Sequence, residues 1–219
     1  MPTADETTRT NPNGDLVKGV TMIAVVDEEQ ATGIVADAYE RYRKHFGRQN
    51  VPGILKCFAT HPPLLEQMIT LASTMLFIDG HLSRKVKEMI ATQVSALNSC
   101  PYCLDSHASF LQNNGGSNDL LFSLSTGQLD DPSITPRERT LLEFVAKVTL
   151  ESHKISPADI NVLTTAGWDQ SSIAEAVHIA SLFAFFNRVA NAFGLPSQHL
   201  SDLNPATLSF RGSNEHNEN

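Results

Sequence analysis

Apolar residues recur at intervals of three and four along most of the chain, the spacing of an amphipathic helix. Two neighbouring runs show this pattern, first Leu64, Leu65, Met68, Leu71 and Met75, and then Val86, Met89, Ile90 and Val94. No alternating run of convincing strand length appears in the sequence. We therefore predict an all-α fold of about eight or nine helices.

Capping residues, prolines and glycines indicate where the helices of the first half begin and end. Proline suits the first helical position, and glycine or asparagine suits the position after the last turn. The predicted helices run from Asp27 to Gly47, from Pro52 to His61, from Pro62 through Met75, from after Ser83 to the break at Asn98-Ser99, from Pro101 to Asn114, and from Asn118 to Ser125.

The second half contains three further predicted helices. Thr135 to Glu138 forms a capping box with Pro136 at the first helical position, and Ser156-Pro157 begins a short helix that ends at Gly167. We expect Ser172 with Glu175 to open the last helix, which Gly194 and Pro196 terminate. This helix is apolar nearly all round, so it should be central or lie at a subunit interface.

The two ends of the chain differ in composition from the body. Residues 1 to about 18 and about 201 to 219 are rich in Asn, Ser, Thr, Gly and Glu. We predict a flexible N-terminal segment over 1–18, a single all-α domain over 19–200, and a polar C-terminal tail over 201–219. The domain would comprise two helical halves, about 19–130 and 131–200.

Composition and charge narrow the functional classes. The 219 residues are 41% hydrophobic and 18% charged, with a net charge of −8 and no cluster of Lys and Arg. We therefore expect no nucleic-acid or membrane partner. The N-terminus carries acidic residues without an apolar signal region, and no apolar run is expected to reach the roughly 20 residues of a membrane span. We predict a soluble cytoplasmic protein.

Three cysteines are too few for a secreted disulfide framework, so a closely spaced pair indicates redox or metal chemistry. Cys100 and Cys103 form such a pair, with His107 four residues further on. Pro101 favours Cys100 as the N-cap of a helix, where the helix dipole stabilises a thiolate. At about 100° per residue, the two thiols and His107 share an arc of about 60°, whereas Tyr102, about 160° from Cys100, should point away.

Glu88 is the candidate partner of His107. On a continuous helix it would lie roughly 18 Å from Cys100. If the chain folds back at Asn98-Ser99, Glu88 and His107 instead become nearly level on the two arms of a hairpin. A carboxylate beside an imidazole fixes its tautomer, which is the arrangement of an orienting group, a base and a nucleophile.

Other interpretations of these residues stay open at this point. The thiols could be small buried hydrophobic groups, or, with His107, three ligands of a zinc ion that lacks an obvious fourth. Glu88 could be a solvated helix charge. Cys57 and the cluster of Phe183, Phe185 and Phe186 are predicted to be packing residues. Arg188, taken as buried, would need a carboxylate from another helix or subunit.

Glu88, Cys100, Cys103 and His107 match the spacing E-x11-C-x-x-C-x3-H. In this the chain resembles the alkylhydroperoxidase D-like group of the carboxymuconolactone decarboxylase superfamily, and its second half, with Phe186-Asn187-Arg188, is similar to the peroxidase-related subfamily. The resemblance covers about residues 20–198. It implies paired helical units, a homo-oligomer, and reduction of hydroperoxides by an external dithiol without metal, haem or other cofactor.

The resemblance also implies roles for individual residues. Cys103 would be the peroxidatic thiol and Cys100 the proton donor and resolving thiol, with His107 and Glu88 as the proton relay. Helix electrostatics alone favour Cys100 as the thiol of lower pKa, whereas proximity to His107 favours Cys103. Tyr102 departs from the family pattern, which commonly has His at that position.

The sequence therefore predicts a thiol-dependent, peroxidase-like oxidoreductase. The alternatives are a general thiol-disulfide oxidoreductase, or a non-catalytic redox switch or oligomeric helical protein that uses the same cysteine pair. The sequence does not distinguish among a dimer, a trimer and a hexamer.

Overall fold

The computed structural model of the chain describes residues 9–10, 16–17 and 21–201. Within these ranges it contains nine α-helices, which confirms the all-α class: α1 Gly33–Phe46, α2 Gly53–Phe58, α3 Pro62–Met75, α4 Arg84–Leu97, α5 Pro101–Asn113, α6 Asn118–Thr126, α7 Pro136–Glu151, α8 Pro157–Thr165 and α9 Gln170–Phe193. Two 3-10 turns, Glu28–Gln30 and Ser152–Lys154, and an antiparallel pair of two-residue strands, β1 Arg9–Thr10 and β2 Leu16–Val17, complete the elements.

Helix α4 is the centre of the fold. It packs against α5, α6, α7 and α9, and its apolar residues Met89, Ile90, Ala91 and Val94 are fully buried. A helix enclosed on this many sides also buries its polar residues, and Glu88 is only 1% exposed. Such residues must find partners inside the protein, because an unpaired buried charge is costly.

The chain folds back between α4 and α5, as the break at Asn98-Ser99 predicts. Ser99 adopts a left-handed backbone with φ of 50°, and the Cys100 amide donates to the Ser95 carbonyl at 2.9 Å. The side chain of Asn191 in α9 donates to the carbonyls of Asn98 and Ser99. These bonds hold a turn that few side chains adopt freely, so α5 returns along α4.

The predicted start of the first helix is wrong. Asp27 precedes only the 3-10 turn, and α1 begins at Gly33 after the extended Thr32. Long-range bonds explain the delay: the Glu28 carboxylate pairs with Arg43 and accepts the Val51 amide. Tertiary contacts therefore override the local capping preference. The end at Gly47, with a left-handed φ of 63°, is confirmed.

The predicted start of the last helix also needs correction. Asp169, whose carboxylate accepts the Ser172 amide at 2.7 Å, is the N-cap of α9, and Glu175 lies inside the helix. Glu175 accepts the Leu82 amide and forms an ion pair of 2.7 Å with the buried Lys87. It therefore ties α9 to α4. The capping box at Thr135 is confirmed.

Helix α9 is long and apolar, as its sequence predicts. Its 24 residues have a mean hydropathy of 1.3 in the most apolar window, so the expectation that no run reaches the length of a membrane span is wrong. Half of that window is buried inside the protein, where Ile173, Ile179 and Phe183 join the core. The predicted central position of the helix agrees with this packing.

The predicted N-terminal segment and C-terminal tail fall almost entirely outside the described residues. The single domain over 19–200 and its division near residue 130 stay predictions.

Candidate active site

The two thiols lie where helix α5 begins. Cys100 is its N-cap and Cys103 lies in its first turn, and the two side chains are hydrogen-bonded to each other. All three cysteines of the chain are free thiols. Cys100 is 1% exposed and Cys103 is 4% exposed, so the pair is almost closed to bulk solvent.

The hydrogen bond between the thiols separates their acidities. The pKa of Cys100 is lowered, first because Cys103 donates to its sulfur and despite the opposing effect of burial. The pKa of Cys103 is raised well above its ordinary value by the same bond and by burial. Cys100 is therefore the more acidic thiol of the pair, as helix electrostatics predict.

Asn187 of α9 is a neighbour of both sulfurs. It is fully buried, its side chain hydrogen-bonds to both thiols, and these bonds lower the pKa of each. Its amide nitrogen also donates to Ser95 Oγ at 3.1 Å, and its oxygen accepts from Asn98 Nδ2 at 3.0 Å. A polar residue within an apolar helix is the sequence signal for this position.

Arg188, the residue after Asn187, is not part of the site. The expectation that it is buried is wrong, because its side chain is exposed and donates to the Ala184 carbonyl of its own helix.

The structure brings Glu88 and His107 together across the hairpin. His107 Nδ1 lies 2.6 Å from Glu88 Oε2, and the other carboxylate oxygen, Oε1, accepts from Arg84 Nε at 2.7 Å. Arg84 also stacks over the Phe77 ring at 4.6 Å. Sequence reasoning missed Arg84, although its position four residues before Glu88 on the same helix is a recognisable ion-pair spacing.

An apolar cavity with a volume of about 100 Å³ extends from the thiol pair to His107. Both Cys103 and His107 line it, whereas Cys100 does not. Eight of its 21 lining residues are Phe or Tyr. The His107 ring is edge-on to two phenylalanines, with centroid distances of 5.2 Å to Phe110 and 4.5 Å to Phe183. The cavity could hold a small organic molecule against the exposed side of Cys103.

Tyr102 also lines this cavity, so the expectation that it points away from the site is wrong. Its hydroxyl oxygen accepts the Ile54 amide at 3.2 Å, which fixes the ring against the start of α2. Burial raises its pKa, so the phenol stays protonated at neutral pH.

The last described residues lie across α5. The buried carboxylate of Asp105 accepts the amides of Gln198, Leu200 and Ser201 at 2.9–3.0 Å. Because Gln198 and Leu200 line the cavity, the segment 197–201 forms part of its wall. Burial opposes ionisation of Asp105, but the hydrogen bonds outweigh it and lower the pKa of the carboxyl.

The structure also bears on the zinc interpretation and on the predicted packing role of Cys57. In the part of the chain that the structure describes, no group of three or more His, Cys, Asp or Glu side chains is arranged to hold a metal ion. Cys57 is buried in α2, and burial raises its pKa to about 12, which agrees with a packing role.

Solved structures of three other proteins share this fold. An alkylhydroperoxidase-core, peroxidase-related protein from Ralstonia eutropha matches 84% of this chain and 96% of its own length, with a TM-score of 0.75 and 24% identity. A peroxidase-related protein from Silicibacter matches 89% and 94%, with a TM-score of 0.67 and 26% identity. The debrominase Bmp8, crystallised with 2,3,4-tribromopyrrole, matches 82% and 95% with a TM-score of 0.66 at 15% identity.

Sequence comparisons find one family and two proteins to which this chain is similar. The model of the carboxymuconolactone decarboxylase family matches residues 62–126, which include α4, the thiol pair and His107. The uncharacterized protein YdfG of Bacillus subtilis is 26% identical over 113 residues, 52% of this chain and 76% of that protein. An alkyl hydroperoxide reductase of Mycobacterium tuberculosis is 35% identical over 96 residues, 43% of this chain but only 27% of the reductase.

The fold is that of the alkylhydroperoxidase D-like helical proteins. Within the chain, the similarity to the carboxymuconolactone decarboxylase family covers residues 62–126, which include the thiol pair and His107.

Proposed function

We propose that this protein is a thiol-dependent peroxidase that reduces organic hydroperoxides through a dithiol–disulfide cycle of Cys103 and Cys100. The observation that carries the proposal is the shared cavity: Cys103 and His107 both line it, and Cys103 is hydrogen-bonded to a second thiol behind it. A substrate in the cavity would contact the Cys103 sulfur and the His107 imidazole at the same time.

The first step is attack by Cys103 on the hydroperoxide. The proton that Cys103 shares with Cys100 passes to Cys100, and the Cys103 thiolate attacks the outer peroxide oxygen. The O–O bond breaks, Cys103 becomes a sulfenic acid, and the departing alkoxide takes a proton from the protonated His107 to leave as an alcohol. Glu88 and Arg84 hold the imidazole in position for this transfer.

The second step is resolution by Cys100. Its sulfur attacks the Cys103 sulfenic acid, a disulfide forms and water leaves. An external dithiol then reduces the disulfide, becomes a disulfide itself and returns two protons, one to the cysteine pair and one to His107. Each turnover thus converts one hydroperoxide and one dithiol into an alcohol, water and a disulfide, without a cofactor. A reducing cytoplasm would supply the dithiol, and the homo-oligomer stays part of this proposal.

The burial of the thiols weighs against the first alternative. A general thiol-disulfide oxidoreductase must present a sulfur to another protein, whereas Cys100 and Cys103 are almost fully enclosed. The aromatic cavity does favour a second candidate, removal of bromine from a small halogenated ring, because the debrominase Bmp8 has the same fold.

Steady-state turnover separates these functions. With dithiothreitol as reductant, the protein should consume tert-butyl hydroperoxide continuously, and Cys103→Ser should abolish consumption. A redox switch would stop after one equivalent, and a general oxidoreductase would reduce a mixed-disulfide substrate without consuming peroxide. Release of bromide from 2,3,4-tribromopyrrole with no peroxide turnover would replace the proposal by the second candidate.

A further inference from the structure

Arg48 places a positive charge in the wall of the apolar cavity. It follows Gly47, which ends α1 in a left-handed conformation and turns the chain toward the cavity. Its half-buried side chain lines the same cavity as Cys103 and His107, with the guanidinium carbon 4.7 Å from the centre of the Phe110 ring. A charged group in a mostly apolar pocket commonly fixes the orientation of the ligand.

The guanidinium of Arg48 has a phenol beside it rather than a carboxylate. It donates a hydrogen bond to Tyr42, and among the described residues no carboxylate lies within ion-pair distance of it. Neighbouring arginines differ, since Arg43 pairs with Glu28 and Arg84 with Glu88. The cavity therefore contains a cation that no carboxylate of residues 21–201 neutralises.

Arg48 and His107 both contact the same ring of the cavity wall. The centre of the Phe110 ring lies 4.7 Å from the Arg48 guanidinium carbon and 5.2 Å from the His107 ring centre, so a small bifunctional ligand can reach both groups. The apolar wall between them favours a hydrocarbon segment. Guanidinium groups bind carboxylates through two parallel hydrogen bonds, and these gain strength where water is excluded.

We propose that Arg48 is the carboxylate-binding subsite of this cavity, so that the preferred substrate is an organic hydroperoxide with a carboxylate at the end remote from the peroxide. The hydroperoxide part of this statement rests on the proposed function, whereas the carboxylate part does not. Arg48 binds the ligand and sets specificity, while the bond-breaking chemistry stays at Cys103.

Binding of an unreactive pair of ligands tests the subsite directly. Hexanoate and hexanamide have nearly the same shape and differ in charge, and their affinities for the full-length reduced protein can be measured by calorimetry or ligand-observed NMR. We expect hexanoate to bind about tenfold more tightly than hexanamide to the wild type. This preference should disappear in Arg48→Gln and largely return in Arg48→Lys.

Lys44→Gln is the matched control, because Lys44 is exposed in the last turn of α1 and does not line the cavity. It removes the same net charge and should keep the wild-type preference. The subsite is refuted if hexanoate and hexanamide bind the wild type equally, if neither binds, or if Arg48→Gln keeps the preference. Thermal unfolding of each variant identifies any loss of folding, and Arg48→Lys then provides the folded comparison.

Turnover of 6-hydroperoxyhexanoate and hexyl hydroperoxide distinguishes failure of the subsite from failure of the proposed function. We expect kcat/KM to favour the carboxylated substrate about tenfold in the wild type and not in Arg48→Gln. If neither hydroperoxide is consumed but hexanoate keeps its preference, the peroxidase proposal fails and the subsite stands. If both are consumed equally and hexanoate shows no preference, the subsite fails and the peroxidase stands.

Discussion

The two ends of the α5 active face are built in different ways. At the first turn, Cys100 and Cys103 are hydrogen-bonded to each other and to Asn187 of α9. One turn further, His107 is hydrogen-bonded to Glu88 of α4, which Arg84 holds in turn. No hydrogen bond between the thiol end and the imidazole end occurs in the described structure, and both ends open on one cavity.

This difference explains how the reduced protein can rest without reacting. At the thiol end the enclosed Cys100 is the more acidic sulfur, and at the imidazole end His107 Nδ1 is hydrogen-bonded to the Glu88 carboxylate. A hydroperoxide in the cavity would lie between the two ends. The Cys103 sulfur would attack one peroxide oxygen, and His107 would give a proton to the other. The substrate would therefore complete the proton relay.

The largest effect should come from breaking the imidazole end. Changing His107 to Gln removes the proton donor for the leaving alkoxide, and general acid catalysis is typically worth about 10²-fold or more. We expect kcat/KM for tert-butyl hydroperoxide to fall by at least that factor, with the thiols still titrating as in the wild type.

Glu88 and His107 should behave as one unit in this test. Glu88→Gln should lower kcat/KM nearly as much as His107→Gln, and the double variant should lose little more. Additive losses in the double variant would show that the two residues act independently and would contradict the relay.

Breaking the thiol end without removing sulfur should have a smaller effect. Asn187→Leu removes the hydrogen bonds that lower the pKa of both thiols, so thiolate should form at higher pH. We expect reaction with hydroperoxide at pH 7 to slow about tenfold, which corresponds to one pKa unit. The thiolate absorbance measured against pH checks the direction.

Asn191→Ala is the control for Asn187. Asn191 supports the carbonyls of Asn98 and Ser99 in the turn before the thiols but is not hydrogen-bonded to sulfur. Its variant should leave the thiolate titration unchanged. An equal change in both variants would indicate damage to the turn rather than loss of the Asn187 contact.

The segment 197–201 contributes Gln198 and Leu200 to the cavity wall, and Asp105 holds it. Because the folded pKa of Asp105 is lowered, its stabilising effect is present at neutral pH and is lost as pH falls below the ordinary value of 3.8 and through the folded value. Asp105→Asn should release the segment at pH 7 at a cost of about 1–2 kcal/mol. Faster hydrogen exchange at the amides of Gln198, Leu200 and Ser201 would report this, and unchanged exchange would contradict it.

The smallest effect is expected at Tyr102. Tyr102→Phe removes one neutral hydrogen bond to the Ile54 amide, which is worth about 1 kcal/mol of stability at most. We expect kcat/KM to change by less than about threefold, because the relay does not pass through the phenol. A loss comparable to that of His107→Gln would assign Tyr102 a part in proton transfer.

Local signals in the sequence predicted the hairpin and the meeting of its two arms. Pro101 indicated the start of α5, and the polar residues Asn98-Ser99 before it indicated a turn between α4 and α5. With that turn, helix geometry predicted Glu88 level with His107, and the structure brings the two side chains together. Helix starts that depend on distant partners were predicted wrongly: Glu28 is held by Arg43 and Val51, and this delays α1.

The contacts that residues of distant elements make at the site could not be predicted from the sequence. Asn187 reaches Ser95 across 92 positions, and Arg48 reaches Phe110 only because α1 and α5 flank one cavity. The facing of Tyr102 was predicted wrongly for a related reason, since the cavity extends around α5 to the start of α2. Helical periodicity gives the direction of a side chain but not the extent of the space that it lines.

The central claim is that access to the cavity decides which sulfur attacks, even though Cys100 is the more acidic thiol. Mass spectrometry of Cys100→Ser and Cys103→Ser after one equivalent of tert-butyl hydroperoxide tests it most directly. The account predicts a sulfenic acid at Cys103 in Cys100→Ser and an unoxidised Cys100 in Cys103→Ser. A stable sulfenic acid only in Cys103→Ser would contradict it and would make Cys100 the attacking thiol.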